Sequence, residues 1–259
     1  MRTALRRLVA LQAQWSPSPY VALWARVEGF RKESLTGAFA RGSAVKLMSL
    51  RMTLHVADAE VAADLLAASM AARPGRIHGR VRTAPVGEWP HNRPSEDVRW
   101  DAELPAAPEA AVRVVRAYLA AYGPATREDI QQYTGFRMRQ IDPALDGLRA
   151  RDGYWDVPRA ARAAADVRAP VRFLPAFDSI ILAHRDRSRI VPPEYVEAVF
   201  NKRNATTKNT FTVDGFVAGA WRVEKRRLVV EPFAPLPAKW RRDVDSEGER
   251  LLAWWLGSS

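Results

Sequence analysis

The chain of 259 residues carries 40 Lys and Arg against 29 Asp and Glu, which gives a formal net charge of +11. Its length allows one large domain or two to three small ones, and its 47% hydrophobic and 27% charged residues are typical of a globular protein. The absence of cysteine excludes a disulfide framework and a thiolate metal site, and no apolar run approaches the ~20 residues that span a bilayer.

The charge excess favours a polyanionic partner, because a basic surface attracts phosphates at long range and releases counterions when it binds DNA or RNA. The alternative is that the charge reflects the Arg- and Ala-rich composition of a high-GC proteome. The first residues, MRTALRRLVALQAQW, lack the long apolar core of a signal peptide. We therefore expect a cytoplasmic, nucleoid-associated protein with no membrane partner.

Residues 1–72 are predicted as a helical, winged-helix-like segment. Apolar spacing predicts helices over 3–14, 20–30 and 34–41, an extended stretch over 45–56, and a last helix that ends near 72. Pro17 and Pro19 end the first helix in this interpretation, because proline lacks an N–H donor. Ser34 and Asp58 are the predicted N-caps of the later helices. Residues 73–108, rich in Pro, Gly and Arg, are predicted to form a linker or irregular surface segment.

Residues 109–160 have the pattern of a winged helix. A helix that ends at Gly123-Pro124 is followed by a second, opened by Thr126 with Asp129 three residues later as in a capping box. The third helix shows apolar residues at 3 and 4 spacing over 138–148, with Pro143 either in its first turn or setting its start at Asp142. A turn at Gly153 then predicts a short hairpin, which completes the winged helix-turn-helix order.

Residues 165–259 are predicted to be strand-rich. Apolar segments indicate strands over 171–174, 179–183, 210–213, 216–223 and 228–233, and a terminal helix over 239–256. Asp214-Gly215 is a strong hairpin signal between two of these strands. The predicted fold class is therefore α+β, with winged helix-turn-helix domains followed by a C-terminal antiparallel β-rich domain.

Basic residues mark two predicted DNA-binding surfaces. The surface of the third helix and the wing comprises Arg137, Arg139, Gln140, Arg149 and Arg151, of which Gln140 is a neutral amide. The surface of the loops between the later strands comprises Arg185, Arg187, Lys202, Arg203, Lys225, Arg226 and Arg227. Arg and Gln can read base edges in the major groove, and Arg at a wing tip suits phosphates or the minor groove. The alternatives are a protein-binding winged helix with a solvated basic face, and loops that serve only solubility.

No metal or cofactor site is expected. The four histidines show no paired spacing such as H-x-x-x-H, and the chain lacks a Walker loop, a G-x-G-x-x-G run and a G-x-S-x-G elbow.

Gln12-Ala13-Gln14 is the candidate catalytic motif. Residues i and i+2 point about 200° apart in a helix but share one face in extended chain, so the amides converge only if the first helix ends at about Gln12. Two carboxamides on one face can hold a water without ionising, although glutamine cannot be a strong general base. The alternative is a helix end on the surface.

Ordered blocks of the chain resemble a bacterial family of tandem winged-helix DNA-binding proteins that includes the AlkZ-like DNA glycosylases. The blocks include LVALQAQWSPSPYVALWARVEGF, RMTLHVADAE, YGPATREDIQQYTGF, PVRFLPAFDSIILAHRDRSRIVP and FTVDGFVAGAWRVE. The family hallmark is Gln-apolar-Gln, which Gln12-Ala13-Gln14 matches. AlkZ-like glycosylases confer self-resistance to DNA-alkylating natural products in actinomycetes.

The resemblance implies a monofunctional DNA glycosylase that hydrolyses the N-glycosidic bond of N7-alkylated purines and unhooks interstrand crosslinks. Gln12 and Gln14 would then position the water, and the partner would be double-stranded DNA, alkylated or crosslinked, bound by a monomer. Two departures predict a shortened architecture: only eleven residues precede Gln12, and 73–108 stands where family members carry roughly another winged helix. The alternatives are a non-catalytic winged-helix DNA-binding protein or regulator, and a structural or protein-binding relic.

Overall fold

The fold combines helices with antiparallel sheets in two compact units. The computed structural model describes residues 1–77, 80–82, 89, 97–99, 102–160, 163–164, 166–201 and 203–257. The first unit comprises Met1–Ala161 with Leu182–Arg185, and the second comprises Arg162–Ile181 with Asp186–Ser259. Over the described stretches, no helix has the length and apolar character needed to cross a membrane.

A five-stranded sheet with strand order β1-β3-β2-β4-β5 forms the centre of the first unit. Its strands are β1 Leu11–Gln12, β2 Ala44–Met48, β3 Leu54–Asp58, β4 Arg80–Arg82 and β5 Asp97–Arg99. All pairings are antiparallel. The stretch predicted to be extended over 45–56 contains most of β2 and the start of β3, but a 3-10 turn at Leu50–Met52 interrupts it and joins the two strands. The segment 73–108 was predicted to be irregular, yet β4 pairs with β2 and β5 pairs with β4, so it extends the sheet.

Three short helices accompany this sheet: α1 Arg2–Arg7, α2 Ser18–Trp24 and α3 Lys32–Ala40. The prediction of one helix over 3–14 is wrong, because Leu11 and Gln12 pair with β3 instead. The prolines also act differently from the prediction: Pro17 is the N-cap of α2 and Pro19 lies in its first turn, where proline is well tolerated. Ser34 lies inside α3, whose N-cap is Arg31, so its predicted capping role is wrong.

Helix α4, Ala59–Ala72, begins as predicted at Asp58, whose carboxylate accepts from the Glu60 N–H at 3.1 Å. The same carboxylate is fully buried and pairs with the guanidinium Nε atoms of Arg2 at 2.9 Å and Arg6 at 3.2 Å. Burial raises the pKa of this carboxyl, but the hydrogen bonds from Arg2, the Glu60 N–H and Arg6 outweigh burial and hold the pKa below its usual value. Asp58 thus ties α1 to the start of α4.

Three helices and a hairpin follow: α5 Ala107–Tyr122, α6 Arg127–Thr134, α7 Met138–Leu145, β6 Ala150–Arg151 and β7 Tyr154–Trp155. The predicted capping box is confirmed, since Thr126 and Asp129 exchange hydrogen bonds of 2.9 and 3.1 Å. Pro143 lies in the interior of α7, so both predicted placements near the helix start are wrong. A buried cluster that includes Leu47, Leu65 and Tyr118 joins the sheet to α4, α5, α6 and α7.

The second unit contains a four-stranded antiparallel sheet of order β13-β12-β11-β8. Its elements are β8 Arg172–Leu174, α8 Ser179–Leu182, α9 Val196–Val199, β9 Phe200–Asn201, β10 Thr206–Thr207, β11 Thr210–Val213, β12 Phe216–Glu224, β13 Arg227–Pro232 and α10 Ala238–Leu256. The predicted Asp214-Gly215 turn is confirmed, with φ angles of 50° and 85° and Val213 paired with Phe216. The strand predicted over 179–183 is wrong: Ser179–Leu182 form α8, because Asp178 accepts from the Ile180 N–H at 3.0 Å and initiates a helical turn.

Candidate nucleic-acid site

Gln12 lies on β1 directly opposite His55 of β3. In the neighbouring pair, the Ala13 N–H donates to the Leu54 carbonyl at 2.8 Å. Because hydrogen-bonded and non-hydrogen-bonded pairs alternate along an antiparallel ladder, Gln12 and His55 form a non-hydrogen-bonded pair. The side chains of such a pair are closer together and lie on one face of the sheet. Gln12 is buried, with 7% of its surface exposed, and its Oε1 has no hydrogen-bond partner among the described residues. A buried acceptor without a donor costs free energy, and a water or substrate donor would recover it.

Gln14 is exposed, and its Oε1 accepts from the Leu54 N–H at 3.2 Å. At the point where the ladder between β1 and β3 ends, the Leu54 N–H thus donates to a side-chain oxygen instead of a backbone carbonyl. The amide NH₂ of Gln14 is therefore the part of the side chain left for a water or substrate. The two glutamines occupy alternate positions of extended chain, as convergence requires, but Gln12 is enclosed and Gln14 is open.

His55 is a neutral group next to Gln12. Burial, followed by the positive charge of Arg51, lowers the pKa of the imidazole to about 3. Its Nδ1 lies 2.9 Å from the Thr53 carbonyl and 3.1 Å from the Ser49 hydroxyl oxygen. Because the ring is uncharged near neutral pH, it holds the end of β3 through hydrogen bonds and adds no positive charge beside the glutamines.

Arg51 lies in the turn between β2 and β3, and both Arg51 and Met52 adopt left-handed backbone angles, with φ of 54° and 59°. The guanidinium of Arg51 donates to the Tyr133 carbonyl and lies 5.1 Å from the centre of the Tyr133 ring. Burial lowers the pKa of Arg51. Gly135 has φ of +73°, and a Cβ there would lie 3.2 Å from the Arg51 nitrogen, so both the backbone angle and this contact favour glycine.

A groove of about 510 Å³ opens at this contact, entirely within the first unit. Its arginines are Arg51, Arg73, Arg137 and Arg185, and its one carboxylate is that of Glu128. Gly135, Phe136 and two glutamines complete the wall. Four guanidinium groups against one carboxylate leave the groove strongly positive, as a site for a phosphate requires.

The predicted DNA-binding residues of the first unit fall into two groups. Arg137 and Arg185 line the groove, whereas Arg139, Arg149 and Arg151 are exposed outside it. Gln140 instead uses its amide internally: Oε1 accepts from the Arg137 N–H at 3.1 Å, and Nε2 donates to the Ala68 carbonyl at 3.2 Å. We therefore leave Gln140 out of the proposed DNA-contacting surface.

In the second unit, Arg187 donates to the Ile181 carbonyl at 2.5 Å and stacks 4.7 Å from the Phe200 ring centre, so it holds the local fold. The other basic residues predicted there, Arg203, Lys225, Arg226 and Arg227, are exposed. Lys202 lies outside the described residues. Among the described residues, no three His, Asp or Glu side chains are grouped as a metal site would require.

Sequence reasoning missed three contributors to this site: Arg51, Arg73 and His55. Two of them lie in RMTLHVADAE, a block that carried the resemblance but was assigned no role. Arg51 contacts Tyr133, and His55 is paired with Gln12 across the sheet. Neither contact can be predicted from local spacing.

A family model described as DNA glycosylase AlkZ-like matches residues 5–88 and 69–254. The chain belongs to the AlkZ-like DNA glycosylase family. It is 27% identical over 150 residues to the interstrand DNA cross-link repair glycosylase of Streptomyces sahachiroi, an alignment that covers 51% of this chain and 39% of that relative. The solved structure of Streptomyces sahachiroi DNA glycosylase AlkZ matches with a TM-score of 0.76 and 20% identity, over 100% of this chain and 91% of that one, which shows a shared fold.

Proposed function

We propose that this AlkZ-like chain is a monofunctional DNA glycosylase that hydrolyses the N-glycosidic bond of N7-alkylated purines. The observation that carries the proposal is the pair of glutamines on extended chain, with the Gln12 oxygen buried and lacking a donor among the described residues. Such an oxygen can accept a hydrogen bond from a water, while Gln14 is exposed to solvent.

The chemistry makes small demands on the protein. An N7-alkylated purine is cationic, so it departs as a neutral base when its bond to C1′ breaks, and water forms the new bond to C1′. The proton lost by that water goes to solvent, because neither glutamine nor the neutral His55 can accept it at neutral pH. The role of Gln12 and Gln14 is therefore to position the water opposite the leaving base.

DNA binding is proposed for the basic surfaces on winged-helix domains. In residues 109–160, three helices precede the β6–β7 hairpin, and a bridge between Ala125 and Trp155 ties that hairpin to the turn before α6. This order supports a winged helix there.

Segment 1–72 is proposed as a second, winged-helix-like part, and 165–259 as the β-rich domain whose basic loops also contact DNA. The proposed protein is a monomer in the cytoplasm, associated with the nucleoid.

The test is a duplex that carries a single N7-methylguanine. The Gln12→Ala/Gln14→Ala variant should release base at least ~100-fold more slowly than the wild type, because water positioning contributes on this scale. Its affinity for the same duplex should be nearly unchanged. Abasic sites are measured after alkali treatment, and the untreated strand should stay intact if no lyase step occurs. Base release at the native rate by this variant would refute the catalytic assignment.

A second candidate is a DNA-binding protein without catalysis, which the burial of Gln12 favours, since 7% exposure leaves little room for an approaching sugar. Salt-dependent binding with no abasic sites would establish it.

Interstrand crosslinks are the proposed larger substrate, in line with self-resistance to an alkylating natural product. Unhooking of a nitrogen-mustard crosslink, followed by denaturing electrophoresis, tests that extension.

A further inference from the structure

We propose that the groove holds one DNA phosphate and that Arg51 is the positioning residue that fixes it, so that the strand is set in register with Gln12 and Gln14. The inference rests on the proposed function for its substrate. It assigns a role to the turn between β2 and β3, which neither the catalytic motif nor the exposed arginines explain.

Arg51 differs from the other arginines of the groove in how firmly it is held. Its guanidinium donates to the Tyr133 carbonyl and lies against the Tyr133 ring, and its backbone is left-handed where Gly135 approaches it. Only part of the five-donor fork is used by one carbonyl, so the remaining N–H groups can meet a phosphate that enters the groove. A side chain already fixed loses little conformational freedom on binding.

The connection from Arg51 to the glutamines is short. His55 lies four positions after Arg51, at most about 14 Å along the chain, and it is paired directly with Gln12. The turn Leu50–Met52 carries the phosphate anchor, and the strand β3 that follows it carries the neighbour of Gln12. With a rise of about 3.4 Å per nucleotide in each DNA strand, the anchored phosphate lies within a few nucleotides of the base to be released.

Arg73, Arg137 and Arg185 supply attraction of a less specific kind. They are exposed and line the groove beside Arg51. Glu128 on the same wall opposes the entry of a second anion. The groove thus fits a single phosphodiester better than a run of them.

The experiment is a methylphosphonate scan, in which each phosphate near the lesion is replaced in turn by a neutral group. The duplex carries one N7-methylguanine on 2′-fluoroarabinose, a sugar that slows base loss. For the wild type, one position should lower affinity about tenfold, as expected for one charge-assisted contact. Arg51→Gln should bind the unmodified backbone about tenfold more weakly and lose the sensitivity at that position.

Two variants serve as references. Arg7→Gln removes an exposed arginine of α1 outside the groove and should keep the sensitive position. Arg51→Lys keeps the charge but not the fork, so affinity should partly recover while sensitivity at that position stays weak. The proposal is overturned if no single phosphate is sensitive in the wild type, or if Arg51→Gln keeps the same sensitive position.

Failure of the glycosylase proposal can be told apart from failure of this one. With an undamaged duplex, Arg51→Gln should reduce the slope of log affinity against log salt by about 0.9, the loss of one phosphate contact, whether or not the wild type releases base. Equal slopes for wild type and Arg51→Gln would overturn the phosphate assignment alone. Inorganic phosphate serves as a competitor. If millimolar phosphate removes the difference in affinity between the wild type and Arg51→Gln, and no single backbone position is sensitive, the groove is a general anion site and the proposal fails.

Discussion

At the scale of single residues, the group paired with Gln12 is neutral, whereas the arginines of the groove are charged. His55 could carry a charge next to Gln12, but its burial and the Arg51 guanidinium prevent this. A cation there would oppose both the proposed N7-alkylated base and the positive charge that would develop at C1′. The arrangement therefore suits a reaction whose substrate is already a cation.

His55 should make stability depend on pH in a definite direction. The unfolded imidazole titrates near 6.5 and the folded one at about 3, so between these values only the unfolded state binds the proton. The contribution of the neutral His55 to the free energy of unfolding is fully present above pH 6.5 and is lost as pH falls toward 3. Between pH 7 and pH 5, the free energy of unfolding of the wild type should fall by about 2 kcal/mol more than that of His55→Asn. Urea unfolding at both pH values measures this difference, and equal losses in the two proteins would show that His55 is not buried as described.

Single residues also show what the sequence could and could not predict. The spacing of Gln12 and Gln14 marked them as a pair, because a shared face depends only on local backbone. Arg51 could not be found in this way. Its position depends on a carbonyl 82 residues further along the chain and on a glycine at the contact, and neither follows from the residues around it.

At the scale of elements, the decisive case is the segment that contains the glutamines. Leu5, Leu8 and Val9 have helical spacing, and this pattern alone does not say where the helix ends. The end at Arg7 is set by the pairing of Leu11 and Gln12 with β3, a tertiary contact that local periodicity does not contain. The α4 cap and the capping box of α6 were predictable, because each is completed within four residues.

The β12–β13 hairpin carries an element-scale prediction. Its two turn residues, Lys225 and Arg226, have φ of 46° and 66°, angles that favour glycine. Arg226→Gly should therefore raise the free energy of unfolding by about 1 kcal/mol, while it lowers DNA affinity through the lost charge. Arg227→Gly loses the same charge from a paired strand position and should destabilise instead. Urea unfolding of both variants checks the opposite signs; a loss of stability in both would mean that the turn is not strained.

At the scale of the whole molecule, a net charge of +11 should govern DNA affinity more strongly than any one contact. If the groove and the exposed basic loops meet about five phosphates, log affinity should fall with log salt with a slope of about −4 to −5. Fluorescence anisotropy on an undamaged duplex between 50 and 200 mM salt, roughly the range in which this effect is large, measures it. A slope shallower than about −1 would show that the backbone contributes little.

The interlocked backbones of Arg51 and Gly135 have a consequence for synthesis and folding. The chain that first leaves the ribosome carries both glutamines well before it carries Tyr133 and Gly135. A nascent chain that has reached only the end of α4 therefore has the motif but no partner for the left-handed turn beside it. The groove completes its assembly only when α6 has docked, so a protein truncated before α6 would keep Gln12 and Gln14 and lose the groove proposed to hold a DNA phosphate.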